Sequence, residues 1–356
     1  MEVIYDAQIF LDQKTGGISR YHYELLKGVR RNGHNARIAG LFVKNHYLLS
    51  DSQCRKSLIP DPIAAFAGFN RWILKRCLKR ISSGAIFHPT NAYSYLYPEV
   101  FSVKHKVFTI HDMILEKQNI STPPDKLLYA KNASKIIAVS EATKQDIVKL
   151  WDINRAKIEV IYHGSSLSPQ QAVKPAQPAP DSFVLYVGDR GGHKNFLTFV
   201  KAIAGLLKKQ RELYLVCAGK RPFSATERLL LKELGVAHKA ACFASVTDNE
   251  LSYLYCNAKA FVFPSLHEGF GIPILEAWSC GAPVVLSRHD CFTEVAAEAG
   301  RYFDPLSAAS IREEVERVLL DKPLRDDLVK KGASRLKLFS WEKSVKQTCN
   351  LYQSLL

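Results

Sequence analysis

Residues 267–285 read HEGFGIPILEAWSCGAPVV. Two glutamates, Glu268 and Glu276, stand eight positions apart, with Gly269, Gly271 and Pro273 between them and Gly281-Ala282-Pro283 after them. The stretch follows KAFVFPS (259–265), a short continuous apolar run of the kind that forms a strand buried on both faces. The glycines let the backbone approach a ligand closely. Pro273 suits the first turn of a helix, so a helix is predicted from near Ile272 through ILEAWSC. The amides of Gly269, Phe270, Gly271 and Ile272 then face an anion, helped by the helix dipole. Glu268 precedes this turn, and Glu276 lies about one turn inside the helix. Carboxylates accept hydrogen bonds from hydroxyls. Two of them around a phosphate nest point to a sugar on one side and a ribose on the other. The plainer reading of Glu276 is a solvated helix residue.

The same strand–turn–helix logic recurs along the chain. Strand candidates in the first half are EVIY, ARIAGLFV, AIFHP, KVFTI, KIIAVS and IEVIYH; in the second half they are FVLYVG, LYLVCAG, KAFVFPS and PVVLS. All are continuous apolar runs separated by longer helical patterns, which predicts parallel sheets covered by helices on both faces. The segment 166–182, SLSPQQAVKPAQPAPDS, lacks periodicity and is rich in Pro, Gln, Ala and Ser, as an extended linker would be. An α/β architecture of two Rossmann-like domains is therefore expected. Residues 1–165 form the first and 183–338 the second, with parallel sheets facing an interdomain cleft. A final helix in 339–356, with Ser340 as a plausible N-cap, is expected to pack back on the first domain.

Length and composition agree. A chain of 356 residues is long for one core. No apolar run reaches the ~18 residues of a membrane span, and MEVIYDAQIF reads as a first strand rather than a signal peptide. The eight cysteines (54, 77, 217, 242, 256, 280, 291, 349) include no CxxC pair and suggest mostly buried, reduced thiols in a cytoplasmic protein. The net charge of +15 is uneven: residues 1–168 hold 24 Lys and Arg against 14 Asp and Glu. An anionic partner is implied, whether nucleic acid, phosphorylated substrate or membrane surface.

Ligands of open α/β sheets bind beyond the carboxyl ends of strands. After FVLYVG comes DRGGHKNF, where Arg190 and Lys194 in a glycine-bearing loop suit a diphosphate clamp, though surface charge is the simpler account of either alone. After EVIY, Gly16-Gly17 precede a helix expected near Ser19. After KVFTI comes His111, placed to meet a ligand or simply to satisfy the core; His88, after AIF, has a weaker claim. No Asp-x-Asp, zinc spacing, GxxxxGK[ST] or GxSxG occurs.

Together, EGFGIPILE followed by GAPVV, YVGDRGGHKN, TGGISRY, TIHD, IEVIYHGS and VTDNELSYLY resemble family 4 glycosyltransferases, which have the GT-B fold. His163 stands where that family's V-I-x-N-G segment has Asn, and the Arg190–Lys194 spacing differs from the commoner one. The resemblance implies that Glu276 binds the ribose hydroxyls and Glu268 the transferred sugar. It puts the 269–272 amides on sugar and phosphate, Arg190 and Lys194 on the leaving diphosphate, and Val246 near the base. It puts His111 at the donor sugar and Gly16-Gly17 against phosphates and acceptor. It also implies retention of anomeric configuration without a metal. The YVG-x-R-x-x-x-KNF form resembles the mannosyltransferase branch of O-antigen synthesis, hence GDP-mannose as donor, with UDP-glucose, UDP-galactose and UDP-N-acetylglucosamine open. The implied acceptor is a lipid-linked saccharide.

Residues 66–81, FAGFNRWILKRCLKRI, read as a basic amphipathic helix. Arg71, Lys75 and Lys79 form one stripe, widened by Arg76 and Arg80, and Leu74, Cys77, Leu78 and Ile81 the opposite face, partly extended by Phe66, Phe69 and Ile73. Such a helix either lies on an anionic membrane, here the inner face of the cytoplasmic membrane, or is an ordinary helix with a solvated face. A GT-B sugar-nucleotide epimerase and a nucleic-acid binder are the alternatives. The first is disfavoured by Glu268, and the second by the lack of interleaved aromatic and basic residues on strands. A Rossmann oxidoreductase is disfavoured because no GxGxxG follows the first strand.

Overall fold

The computed structural model describes residues 1–52, 57–58, 64–91, 100, 102–118, 120 and 124–356. Two compact units result, Met1–His163 with Ser340–Leu356, and Gly164–Phe339.

The first unit is built on a six-stranded parallel sheet. Its strands are β1 (Glu2–Asp6), β2 (Asn35–Ala39), β5 (Ile86–His88), β6 (His105–Ile110), β7 (Lys135–Ala138) and β8 (Ile158–Val160), in the order β2-β1-β5-β6-β7-β8. Successive residues of each apolar run feed opposite faces. Val3, Tyr5, Val107 and Ile137 pack on one side, and Ile4, Phe87, Phe108 and Ile136 on the other. That is why the runs show no polar alternation. The predicted strand ARIAGLFV breaks at Gly40, where a Cβ would crowd Ala7 and the Asn70 amide. Past it, Phe42–Val43 (β3) pairs with Ser57–Leu58 (β4) in a separate two-stranded sheet. Cys54 lies outside the described residues.

The C-terminal helix Trp341–Gln353 belongs to this unit. Ser340 caps it by accepting from the Lys343 amide. Val345, Cys349, Leu351 and Tyr352 are buried in the same core as Leu25, Leu26 and Val29 of the helix Gly17–Arg31. Gly28 makes the close approach possible, because a Cβ there would overlap the Val345 side chain.

The second unit repeats the plan with β9 (Phe183–Val187), β10 (Tyr214–Gly219), β11 (Ala240–Ala244), β12 (Ala260–Phe263), β13 (Val284–Ser287) and β14 (Gly300–Phe303), all parallel, in the order β11-β10-β9-β12-β13-β14. Sequence reading missed β11 and β14. They are the two edges, and AACFA and GRYF carry only one buried residue each. The proline-rich stretch lies with this unit. A 3₁₀ turn spans Pro169–Gln171, Leu167 is buried, and the Val173 amide donates to the Asn249 carbonyl at 3.0 Å. The seven described cysteines are free thiols. Cys217, Cys280, Cys291 and Cys349 are buried, Cys77 and Cys242 half-buried, and Cys256 exposed, so burial is less uniform than expected.

The same substitution at two helical glycines tests this packing. Gly28→Ala should destabilise the first unit by about 1–3 kcal/mol through overpacking. Gly68→Ala, in the helix Ala64–Leu78 with nothing near its Cβ position, should stabilise by about 0.5–1 kcal/mol. Urea unfolding of both variants is the measurement.

Candidate active site

In the second sheet the strand order reverses between β9 and β12. Loops leaving neighbouring strands in opposite directions at such a point open a crevice beyond their carboxyl ends. Both loops that the sequence singled out leave from this point.

After β9 the chain turns through Gly188 at φ +124° and Gly192 at φ +48°, conformations open to glycine. The Tyr186 hydroxyl donates to the Asp189 carbonyl at 2.6 Å. A short 3₁₀ turn, Gly192–Lys194, ends at Asn195, whose side chain donates to the Pro305 carbonyl at 2.8 Å before the helix Phe196–Lys209 begins. The Leu266 amide donates to the His193 carbonyl at 2.7 Å and ties this loop to the one after β12. Across that tie, Lys194 Nζ meets Glu268 Oε1 at 2.6 Å. Both side chains keep some exposure, 22% and 13%, so a ligand can reach them.

Gly271 caps the helix Ile272–Ser279 with φ +100° and ψ 54°. A Cβ there would stand 2.9 Å from the Phe292 ring. Both the backbone angle and the space require glycine. Glu276 is not a solvated helix residue: its Oε2 accepts from the Tyr255 hydroxyl at 3.2 Å. Burial, with Glu276 nearby, holds the Tyr255 phenol well above its usual range, so it stays a donor. Val246 sits half-buried beyond β11. It lies between Ser245, at φ +57° with its amide on the Gly219 carbonyl, and Thr247, which forms a capping box with Glu250. Tyr255 was missed in the sequence, because an inward-facing tyrosine on a helix reads as core. Ser287 was not singled out either, since it closes the apolar run PVVLS. Its hydroxyl, like that of Ser265, is buried without a partner at the carboxyl ends of β13 and β12.

Arg190 departs from its expected role. Its Nε bonds Glu227 at 3.0 Å, and one terminal nitrogen donates to the carbonyls of Arg221 and Pro222 at 2.8 and 2.7 Å. Only 6% of its side chain is exposed. The guanidinium clasps the loop after β10 to the helix Ala225–Glu233, which leaves Lys194 as the cation beside Glu268.

In the first unit a short helix, Gln8–Asp12, follows β1, and the helix after Gly16 starts at Gly17 rather than near Ser19. Gly16 precedes it with its α-carbon against the Gln13 side chain, whose carbonyl oxygen accepts from the Ser19 amide at 3.2 Å. His111 follows β6. Its ring stands edge-on to Tyr21 at 5.1 Å and stacks on His163 at 5.9 Å, with Nε2 covered and unpartnered. His88 is a satisfied core residue: Nδ1 pairs with the Tyr352 hydroxyl at 2.5 Å and Nε2 with Thr109 at 2.8 Å. Tyr352 also meets the Tyr5 hydroxyl at 3.1 Å, and Thr109 the Tyr21 hydroxyl at 3.0 Å, so five polar side chains form one buried chain. Among the described residues no cluster of His, Cys, Asp or Glu could hold a metal ion.

With this geometry established, two family profiles account for nearly all of the two units: "Glycosyltransferase Family 4" matches residues 15–168 and "Glycosyl transferases group 1" matches 168–335. The O-antigen chain mannosyltransferase B of Escherichia coli is 30% identical over 288 residues, 76% of this chain and 74% of that one. The chain belongs to glycosyltransferase family 4. It is a glycosyltransferase with the GT-B fold. Solved structures of similar fold include WaaG, a glycosyltransferase involved in lipopolysaccharide biosynthesis (16% identity, TM-score 0.74, 98% of this chain and 99% of that one). HepE from Anabaena in complex with UDP and glucose is another (14% identity, TM-score 0.77, 99% and 100%).

Two measurements check the site's physics. Gly271→Ala should cost about 1–2 kcal/mol of backbone strain, beyond the clash with Phe292, and should weaken nucleotide binding; thermal unfolding and calorimetric titration report both. The second concerns pH. Burial lowers the pKa of His88 to about 3 and of His111 to about 4, and holds His22 and His163 well below their usual value. Unfolded, these rings take protons below pH ~6.5; folded, they resist them. The stability they contribute is complete above that pH and is lost as pH falls toward 4 and 3. Asp6, raised to about 6 by burial, and Asp12, also raised by burial, act in the opposite sense, but they are two groups against the four rings. The first unit's unfolding midpoint should therefore drop steadily from pH 7 to 5.

Proposed function

We propose that this glycosyltransferase moves mannose from GDP-mannose to a lipid-linked saccharide, with retention and without a metal, in surface-polysaccharide synthesis at the inner face of the cytoplasmic membrane. The donor sugar rests on the relatives named O-antigen chain mannosyltransferase. A UDP-sugar donor is the second reading, favoured by the similar fold of HepE, solved with UDP and glucose.

The observation that carries the mechanism is the Lys194–Glu268 pair beside the Gly271 helix start. Without donor, each neutralises the other. A diphosphate brings more negative charge than one carboxylate and draws the ammonium to itself. Glu268, released, accepts hydroxyls of the sugar. Breaking the glycosyl–phosphate bond develops positive charge at the sugar carbon and negative charge on the departing phosphate. Lys194 and the amides of Gly269, Phe270, Gly271 and Ile272 stabilise the latter. Glu276, held by Tyr255, takes the ribose hydroxyls, and Val246 borders the base. Arg190 acts through the loop it clasps. In the first unit, His111, neutral at pH 7, is assigned to the sugar, and the Gly16-Gly17 turn to phosphates and acceptor. The acceptor hydroxyl attacks on the leaving group's side and gives its proton to a phosphate oxygen, so no protein nucleophile is required.

Glu268→Ala should lower transfer by about 10²–10³-fold while GDP binds as before. Glu276→Ala should weaken GDP binding by about tenfold or more, the worth of a charged hydrogen bond. Transfer should continue in EDTA. Product assays with GDP-mannose and UDP-sugars, and titrations with GDP and UDP, read these outcomes; turnover with UDP-glucose alone would move the donor assignment to the second reading.

A further inference from the structure

The basic helix of the first unit spans Ala64–Leu78. Its Leu74–Leu78 side is packed in the core, as in an ordinary helix with a solvated basic face. Leu74 and Leu78 are each 3% exposed and lie in the core with Phe87, Phe108 and Ile136. Buried Asn70 fixes the same side, accepting from the Leu41 and Phe42 amides at 2.8 and 3.0 Å and donating to the Phe42 carbonyl at 2.7 Å.

The opposite side is exposed and aromatic. Trp72 is 54% exposed and Phe69 43%, with their rings 5.7 Å apart. Phe42 extends the row, edge-on to Phe69 at 5.4 Å, and Leu41 beside it is 39% exposed. Arg76 lies over the Trp72 ring at 5.5 Å. Arg71, Lys75, Lys79 and Arg80 are exposed on the same helix and its end. Residues 62–98 contain five Lys and Arg and no Asp or Glu.

Contiguous exposed aromatic residues on a soluble unit mark a contact surface. Duplex nucleic acid would use the cations but leaves no place for a side-by-side Trp and Phe projecting from a helix. A headgroup layer accommodates both: tryptophan settles at the polar–apolar boundary, and the cations meet anionic lipid phosphates. We infer that this helix docks on the anionic surface of a lipid bilayer through Phe69, Trp72 and the cations Lys75 and Arg76. The docking is shallow, because the helix's aliphatic face is already buried. The inference gives the lipid-linked acceptor of the proposed function a physical location, but it stands on separate residues.

Co-sedimentation of the full chain with phosphatidylcholine vesicles containing or lacking phosphatidylglycerol tests it. Binding is expected to the anionic vesicles only and to fall as salt shortens the screening length. Phe69→Ala/Trp72→Ala and Lys75→Glu/Arg76→Glu should each weaken it by about tenfold or more. Both double variants should fold and transfer sugar to a water-soluble saccharide acceptor as the parent does. Equal binding by parent and variants, or no binding by the parent, would overturn the inference. So would preference for a duplex oligonucleotide over anionic vesicles at the same salt. Loss of transfer in the parent with every acceptor strikes the proposed function instead and leaves the vesicle result standing.

Discussion

The ion pair between Lys194 and Glu268 is the contact on which the proposed chemistry of the second unit depends. It joins the loops leaving β9 and β12, where the sheet's winding reverses. Everything near it serves to place two side chains. The Leu266–His193 bond fixes the separation of the loops, the left-handed Asn195 starts the helix behind Lys194, and Gly271 turns the chain into the helix behind Glu268. A lysine and a carboxylate held together and still partly open form a site ready to trade one anion for another. A fully buried pair would resist the trade, because separating it would strand a charge.

The first unit is organised differently. Its centre is a hydrogen-bonded chain of neutral side chains, Tyr5, Tyr352, His88, Thr109 and Tyr21, fully satisfied along its length. Such a network specifies one arrangement, because breaking any link leaves a buried polar group unpaired. It also anchors the C-terminal helix through Tyr352, and Tyr21 sets the edge against which His111 rests. Beside this chain the His22 and His111 rings each keep one buried nitrogen without a partner.

Much of this was legible in the sequence. Parallel sheets buried on both faces leave uninterrupted apolar runs, so every central strand could be read, as could the Ile272 helix start and the Ser340 cap. The edge strands β11 and β14 could not, because half-buried strands of small or mixed residues lose that signature. The Glu268 and Lys194 positions followed from glycine turns at strand ends. The partners of Arg190 and Glu276 did not, since Glu227 and Tyr255 are distant in sequence and belong to helices whose inward faces look like ordinary core. The helix Ala64–Leu78 shows the same limit: Leu74 and Leu78, read on its apolar face, are buried, but Phe69, read as extending that face, is exposed. Aromatic residues left outside became visible only in three dimensions.

The central claim is that Lys194 exchanges a carboxylate for the donor's diphosphate. A crystal structure of the protein with GDP bound tests it most directly. The account predicts a phosphate oxygen within hydrogen-bond distance of Lys194 Nζ and Glu268 turned away from it. A pyrophosphate lodged elsewhere, with the 2.6 Å Lys194–Glu268 contact intact, would contradict it.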